Sequence, residues 1–222
     1  MHKKKLKKVL IVTNFKKTKV LKDLLKYKRY CDLVIKNPKI KNDKKFILNK
    51  FNKFDFLISY ANGMIFGEKI LNHFHKKKMI NFHPSTPRFR GRDTQHFACY
   101  YKEKKFGGTI HYLTKKIDSG KIIDTKSYKI KKNSNHYYYR NVSHRAIKFL
   151  LNKHFLNILN LKLKLSNEKW SKKKFRRVDF LKKLHIPTNV GFEELKLLIR
   201  SFYTKNRKSL YFCINNQKIY FT

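Results

Sequence analysis

Short apolar runs alternate with segments of helical spacing along the N-terminal third of the chain. The runs are Lys8-Val9-Leu10-Ile11-Val12-Thr13, Asp32-Leu33-Val34-Ile35, Phe54-Asp55-Phe56-Leu57-Ile58-Ser59 and Met79-Ile80-Asn81-Phe82-His83. Runs this short, rich in β-branched and aromatic residues, read as buried strands. Between the first two, Val20, Leu21, Leu24 and Leu25 recur at helical spacing from Thr18 to Tyr27, and Phe46 to Phe51 reads as another helix. Such alternation predicts an α/β fold with a mostly parallel sheet and helices on both faces. Ligands of such sheets sit beyond the carboxyl ends of the strands. That places Tyr60–Phe66 and Asn81–Gly91 where a site is expected.

Downstream, the pattern predicts a helix over Thr94–Tyr101 and strands over Gly108–Leu113 and Ile122–Ile130. A long helix follows from Asn135 to about Leu165, with Val142, Ala146, Phe149 and Leu150 on one face. The remainder reads as an appendage packed on the main sheet. It holds a basic run at Lys172–Arg177, a helix over Glu193–Tyr203 capped by Thr188 or Asn189, and a hairpin over Leu210–Phe221 around Asn215-Asn216. The expected division is 1–165 for the main domain and 166–222 for the appendage. The aromatic-rich tail covers its own core or a partner subunit, and a homodimer is the expected assembly.

The charge is extreme: 56 Lys and Arg against 13 Asp and Glu, a net +43 on 222 residues. A hydrophobic share of 41% with 15% aromatics excludes a disordered basic tail, which lacks the apolar area to offset chain entropy. The excess is spread along the chain and is weakest over residues 51–100. It reads as a solvated surface rather than a dedicated polyanion site, although salt-dependent attraction to nucleic acid follows either way. No run reaches the roughly 20 apolar residues of a membrane span, and the apolar stretch after Met1-His2-Lys3-Lys4-Lys5 is too short for a signal peptide. Cys31, Cys99 and Cys213 are odd in number and far apart, which suggests reduced thiols, a cytoplasmic setting and no zinc site. His73 and His75 lack an acid or Cys at ligand spacing, so no metal is expected.

Glycine is informative because it is scarce. Six of the seven glycines, with Pro84 and Pro87, fall between residues 63 and 120, so unusual backbone is concentrated there. The same window holds four polar elements: Asn81-Phe82-His83-Pro84-Ser85, Arg88-Phe89-Arg90-Gly91, Gly107-Gly108-Thr109-Ile110-His111 and Ile117-Asp118-Ser119-Gly120. Asn81 and His83 lie two apart in a strand and share a face, and Pro84 places both at its mouth. Asp118 on a separate loop closes an Asn/His/Asp cluster. Such a cluster suits attack of an amine on a carbonyl, with an N–H donor on the oxyanion and a carboxylate managing the proton. Taken singly, His83 also reads as a hydrogen-bonded structural residue, and Asp118-Ser119-Gly120 as an ordinary turn.

In order and spacing, Asn-x-His-Pro-Ser, Pro-x-x-Arg-Gly, Gly-x-Thr-x-His and Ile-Asp-Ser-Gly-x-Ile-Ile resemble the folate-dependent formyltransferases over roughly residues 7–130. The resemblance implies a Rossmann-like domain that moves a formyl group from 10-formyltetrahydrofolate to a primary amine. It implies that Asn81 and His83 polarise the formyl carbonyl and that Asp118 assists proton transfer. It further implies a folate slot at Ala61, Asn62, Gly63, Met64, Ile65 and Ile117, and acceptor contacts from Ser85, Arg90, Gly91, Thr109 and His111. Read alone, Tyr60–Ile65 is equally an ordinary strand-to-helix turn.

Ser85-Thr86-Pro87 is one residue shorter than the loop usual in the tRNA and purine enzymes of the family, and the chain has no room for a large C-terminal barrel. Its tail is similar to those of nucleotide-sugar N-formyltransferases. The expected acceptor is therefore the amine of a nucleotide-linked sugar destined for a surface glycan. The alternatives are a reduced methionyl-tRNA formyltransferase, which the charge favours, another amine acceptor, and a non-catalytic basic polyanion-binding module.

Overall fold

In the computed structural model, residues 6–205, 209–215 and 217–221 are described. The basic start Met1–Lys5 and the hairpin residue Asn216 lie outside them. Strands β1 (Lys7–Thr13), β2 (Cys31–Lys36), β3 (Phe56–Tyr60), β4 (Met79–His83), β5 (Arg90–Gly91), β6 (Lys105–Tyr112), β7 (Ile122–Lys129) and β8 (Lys174–Phe175) precede the hairpin of β9 (Tyr211–Ile214) and β10 (Gln217–Tyr220). Helices α1 (Lys17–Leu24), α2 (Lys41–Lys50), α3 (Glu68–His73), α4 (Thr94–Tyr100), α5 (His136–Leu159), α6 (Arg177–Lys182) and α7 (Phe192–Phe202) lie between them.

The main sheet runs β2-β1-β3-β4-β6-β7. Its first four strands pair in parallel, and only β6 runs against the rest. Alternation along each strand divides the apolar residues between two faces. Val9, Ile11, Phe56, Ile58, Ile80 and Phe82 meet α1 and α5, whereas Leu10, Val12, Leu57 and Met79 meet α2 and α3. The expected α/β, mostly parallel sheet with helices on both faces is what forms.

A second core joins distant stretches of chain. Phe89, Phe97, Ala98 and Phe106 pack with Tyr139, Phe175, Phe180, Leu198, Phe202 and Leu210. The tail aromatics Tyr203, Tyr211, Phe212 and Phe221 lie against this core, so they cover the chain's own interior. The tail also ties down the loop after β4, because β8 pairs in parallel with β5.

Several boundaries differ from expectation. The helix α2 begins five residues earlier, α3 and α6 were not anticipated, and β6 starts at Lys105, so Gly107-Gly108 lies inside the strand. A Cβ at Gly108 would approach Ile147 Cγ2 to 2.5 Å, so glycine there lets α5 close on the sheet. Asn135, expected as the first residue of the long helix, instead caps α5, its side chain accepting from the Tyr138 N–H. The helix nevertheless ends at Leu159; Leu161 takes φ 55° and the Ser166 N–H bonds the Ile122 carbonyl. Phe149, expected on the buried face, is 43% exposed and lies beside Lys126. Gly191, not Thr188 or Asn189, precedes α7, and no side chain caps it. Among the described residues no helix is long and apolar enough to cross a membrane.

Candidate active site

Asn81, His83 and His111 stand on the α2/α3 face of the sheet, at the end where those helices no longer cover it. The ladder fixes their neighbourhood, because Asn81 pairs with His111 and His83 with Thr109 across the β4–β6 junction. Residues directly opposite in a ladder share a face, so Asn81 and His111 meet. The Asn81 Nδ2 atom lies 2.9 Å from His111 Nε2 and donates to Asp118 Oδ1 at 3.4 Å. His111 Nδ1 lies 2.8 Å from the Tyr112 carbonyl. A carbonyl only accepts, so Nδ1 carries the proton and Nε2 accepts from Asn81.

The same reasoning fixes His83. Its Nε2 donates to the Phe89 carbonyl at 2.9 Å, leaving Nδ1 to face Asp118 Oδ2 at 3.6 Å. Pro84 ends β4, and the Ser85 N–H closes a tight turn onto the His83 carbonyl. Asp118 sits at φ 45°. The turn reading and the site reading of Asp118-Ser119-Gly120 are thus one feature, since the left-handed turn aims the carboxylate inward. Burial alone would raise the Asp118 pKa. His83, His111 and the Gly91 N–H outweigh it and hold the carboxyl down at about 2. That N–H donates to Oδ2 at 2.8 Å from a glycine at φ 105°. A Cβ at Gly91 would lie 2.1 Å from the Phe175 carbonyl, so only glycine lets β5 lie against β8 and still reach Asp118.

Beside the cluster is a cavity of about 140 Å3. Asn62, Gly63, Met64, Ile65 and Ile117 line it, together with Asn81, His83, Gly91, His111 and Asp118. Asn62 shapes its own loop by donating to Ser59 Oγ and accepting from the Met64 N–H. The other expected contacts stand elsewhere. Ala61, at φ 46°, packs toward the α1/α5 core. Ser85 and Thr109 are fully buried, with the Thr109 hydroxyl donating to the Ser85 carbonyl. Arg90 donates to the Ile117 and Ser171 carbonyls, joining two loops behind the cluster. A larger cleft of about 460 Å3, floored by Phe97, Tyr101 and Phe175, touches no residue of the cluster.

Sequence reasoning missed Trp170. Its ring centroid lies 4.9 Å from that of His111 and 5.9 Å from that of His83, and its Nε1–H donates to the Gly120 carbonyl. The signal available was that it is the single tryptophan of the chain. The Phe89 carbonyl left no signal, because a backbone acceptor carries no residue identity.

The chain is 37% identical over 82 residues to a methionyl-tRNA formyltransferase of Staphylococcus epidermidis; the match covers 36% of this chain and 26% of that relative's length. Among solved structures, a sugar N-formyltransferase from a Shewanella species superposes with TM-score 0.80 at 19% identity, covering 97% of this chain and 96% of the other. An N-formyltransferase from Helicobacter canadensis, solved with folinic acid and dTDP-3-aminofucose, gives 0.69 at 21% identity over 97% of this chain and 86% of the other. These likenesses establish the fold. The formyl transferase family model matches residues 2–152, a stretch that carries β1 through most of α5 with Asn81, His83, His111 and Asp118, and the chain belongs to that family.

Proposed function

We propose that the protein transfers a formyl group from 10-formyltetrahydrofolate to the primary amine of a nucleotide-linked amino sugar. The observation that carries formyl transfer is the closed Asn81–His111–Asp118–His83 cluster on the wall of a small, partly apolar cavity. Met64, Phe66, Leu71, Leu113 and Ile117 offer surfaces suited to a flat heteroaromatic ring, with Asn62 and the neighbouring backbone as polar partners.

In this reading the amine nitrogen bonds to the formyl carbon, the carbon–N10 bond breaks, and the proton lost by the amine leaves on that nitrogen. Asn81 keeps one Nδ2 proton on His111 and turns the other from its long 3.4 Å contact with Asp118 Oδ1 to the carbonyl oxygen as charge develops there. Asp118, ionised at neutral pH, orients the amine and takes its proton only to pass it on. His83, with Nε2 committed to the Phe89 carbonyl, offers Nδ1 as the atom that shares that proton with Asp118. His111 holds Asn81 in place.

The end-to-end likeness to the Shewanella enzyme, tail included, supports a sugar acceptor. A second reading, methionyl-tRNA as acceptor, is favoured by the Staphylococcus relative and the charge of +43. Incubation with 10-formyltetrahydrofolate and, separately, dTDP-amino sugars, UDP-amino sugars and charged initiator tRNA separates the two. Formylated sugar is the expected product, and formylation of tRNA alone would overturn the sugar reading. His83→Ala should lower kcat by about 10²–10⁴-fold with the fold intact; turnover near the wild-type rate would overturn the mechanism.

A further inference from the structure

The segment after α5 crosses the cluster as a strap. It is fastened by the Ser166 N–H to the Ile122 carbonyl, the Ser171 N–H to the Pro87 carbonyl, Arg90 to the Ser171 carbonyl, and the β5–β8 pairing. Trp170 is the strap residue that reaches inward. It reaches both histidines and the turn after Asp118: edge-to-face against His111 at 87°, inclined at 64° to His83, and hydrogen-bonded at 2.8 Å to the Gly120 carbonyl.

We propose that Trp170 is a positioning residue that holds the His83 and His111 rings against the carbonyls that set their tautomers and shields the His83–Asp118 pair from water on one side. His83 is held by one hydrogen bond, to the Phe89 carbonyl, and His111 by two, to the Tyr112 carbonyl and from Asn81 Nδ2. The single bond leaves rotation open at His83, the less firmly held of the two rings. An indole packed against both rings removes that freedom, and its N–H fixes the third member through Gly120. A misplacement of about 1 Å in such a group costs about 100-fold in rate.

The test uses the whole protein with 15N-labelled imidazoles. In the wild type, His83 is expected as the Nε2–H tautomer and His111 as the Nδ1–H tautomer in their neutral forms. In Trp170→Ala the His83 signals should average between tautomers and those of His111 should shift, and kcat should fall about 10- to 100-fold with KM for the folate changed less than about 2-fold. Trp170→Phe, which keeps a ring and loses the N–H, should restore single tautomers and recover part of kcat. Unchanged imidazole signals in Trp170→Ala would overturn the proposal, as would a loss confined to KM. The kinetic arm rests on the formyl-transfer reading and the spectroscopic arm does not. Averaged tautomers without any formyl transfer would therefore count against that reading and leave the positioning intact.

Discussion

At the residue scale, Asp118 unites geometry and electrostatics. Its folded pKa of about 2 lies below the ordinary 3.8, so the unfolded chain binds more protons between those values. The stability it contributes is therefore complete above about pH 4 and is lost as pH falls toward 2. Asp118→Asn should lower stability at pH 7 and flatten the acid limb of a plot of Tm against pH in that window; an unchanged acid limb would show that the carboxylate is not held by His83 and His111. The residue types were legible because period two places Asn81 and His83 on one face and because Asp-Ser-Gly is a turn signal. The acceptors that set the tautomers were not legible. The Phe89 and Tyr112 carbonyls act through backbone position, and Trp170 approaches from 50 or more residues away in sequence, set there by the strap.

At the scale of elements, the junction of α4, α5 and α7 holds a pair of buried histidines. His96 and His136 stack at 4.3 Å, and their Nδ1 atoms donate to the Ser201 and Arg200 carbonyls at the end of α7. Burial first, with Arg177 and Arg140 nearby, draws His96 down to about 4 despite the Ser201 carbonyl; burial and then His96 do the same to His136. Both are neutral in the fold at pH 7. The unfolded chain protonates them near 6.5, so stability falls as pH drops from about 6.5 to 4. Over that window the wild type should lose roughly 5–10 °C in Tm, and a His96→Gln/His136→Gln protein, less stable at pH 7, should lose less. Equal losses in both proteins would exclude the pair as the cause. Element ends were the least legible part of the fold. Helix-compatible residues continue past Leu159, yet α5 stops because the following chain is needed against Ile122 and above the cluster, and tertiary pairing outweighs propensity.

Across the whole molecule, the few carboxylates are largely committed. Asp43 takes Lys17 and Lys36, Asp124 takes Lys153, and Asp23 takes Lys148. Most lysines therefore face one another across solvent, and self-repulsion opposes compaction. Raising NaCl from about 20 to about 500 mM, which shortens the screening length several-fold, should raise Tm. A Tm that falls over this range would show that attractive pairs outweigh the repulsion. The sequence by itself determined the sheet, its two covered faces and the residue types of the cluster, because periodicity and turn chemistry act between near neighbours. Only the tertiary structure decided which of these residues reach the cavity, which tautomers the histidines hold, and that the tail shares a core with the segment after β4. Those depend on contacts between residues far apart in the chain, and local pattern carries no record of them.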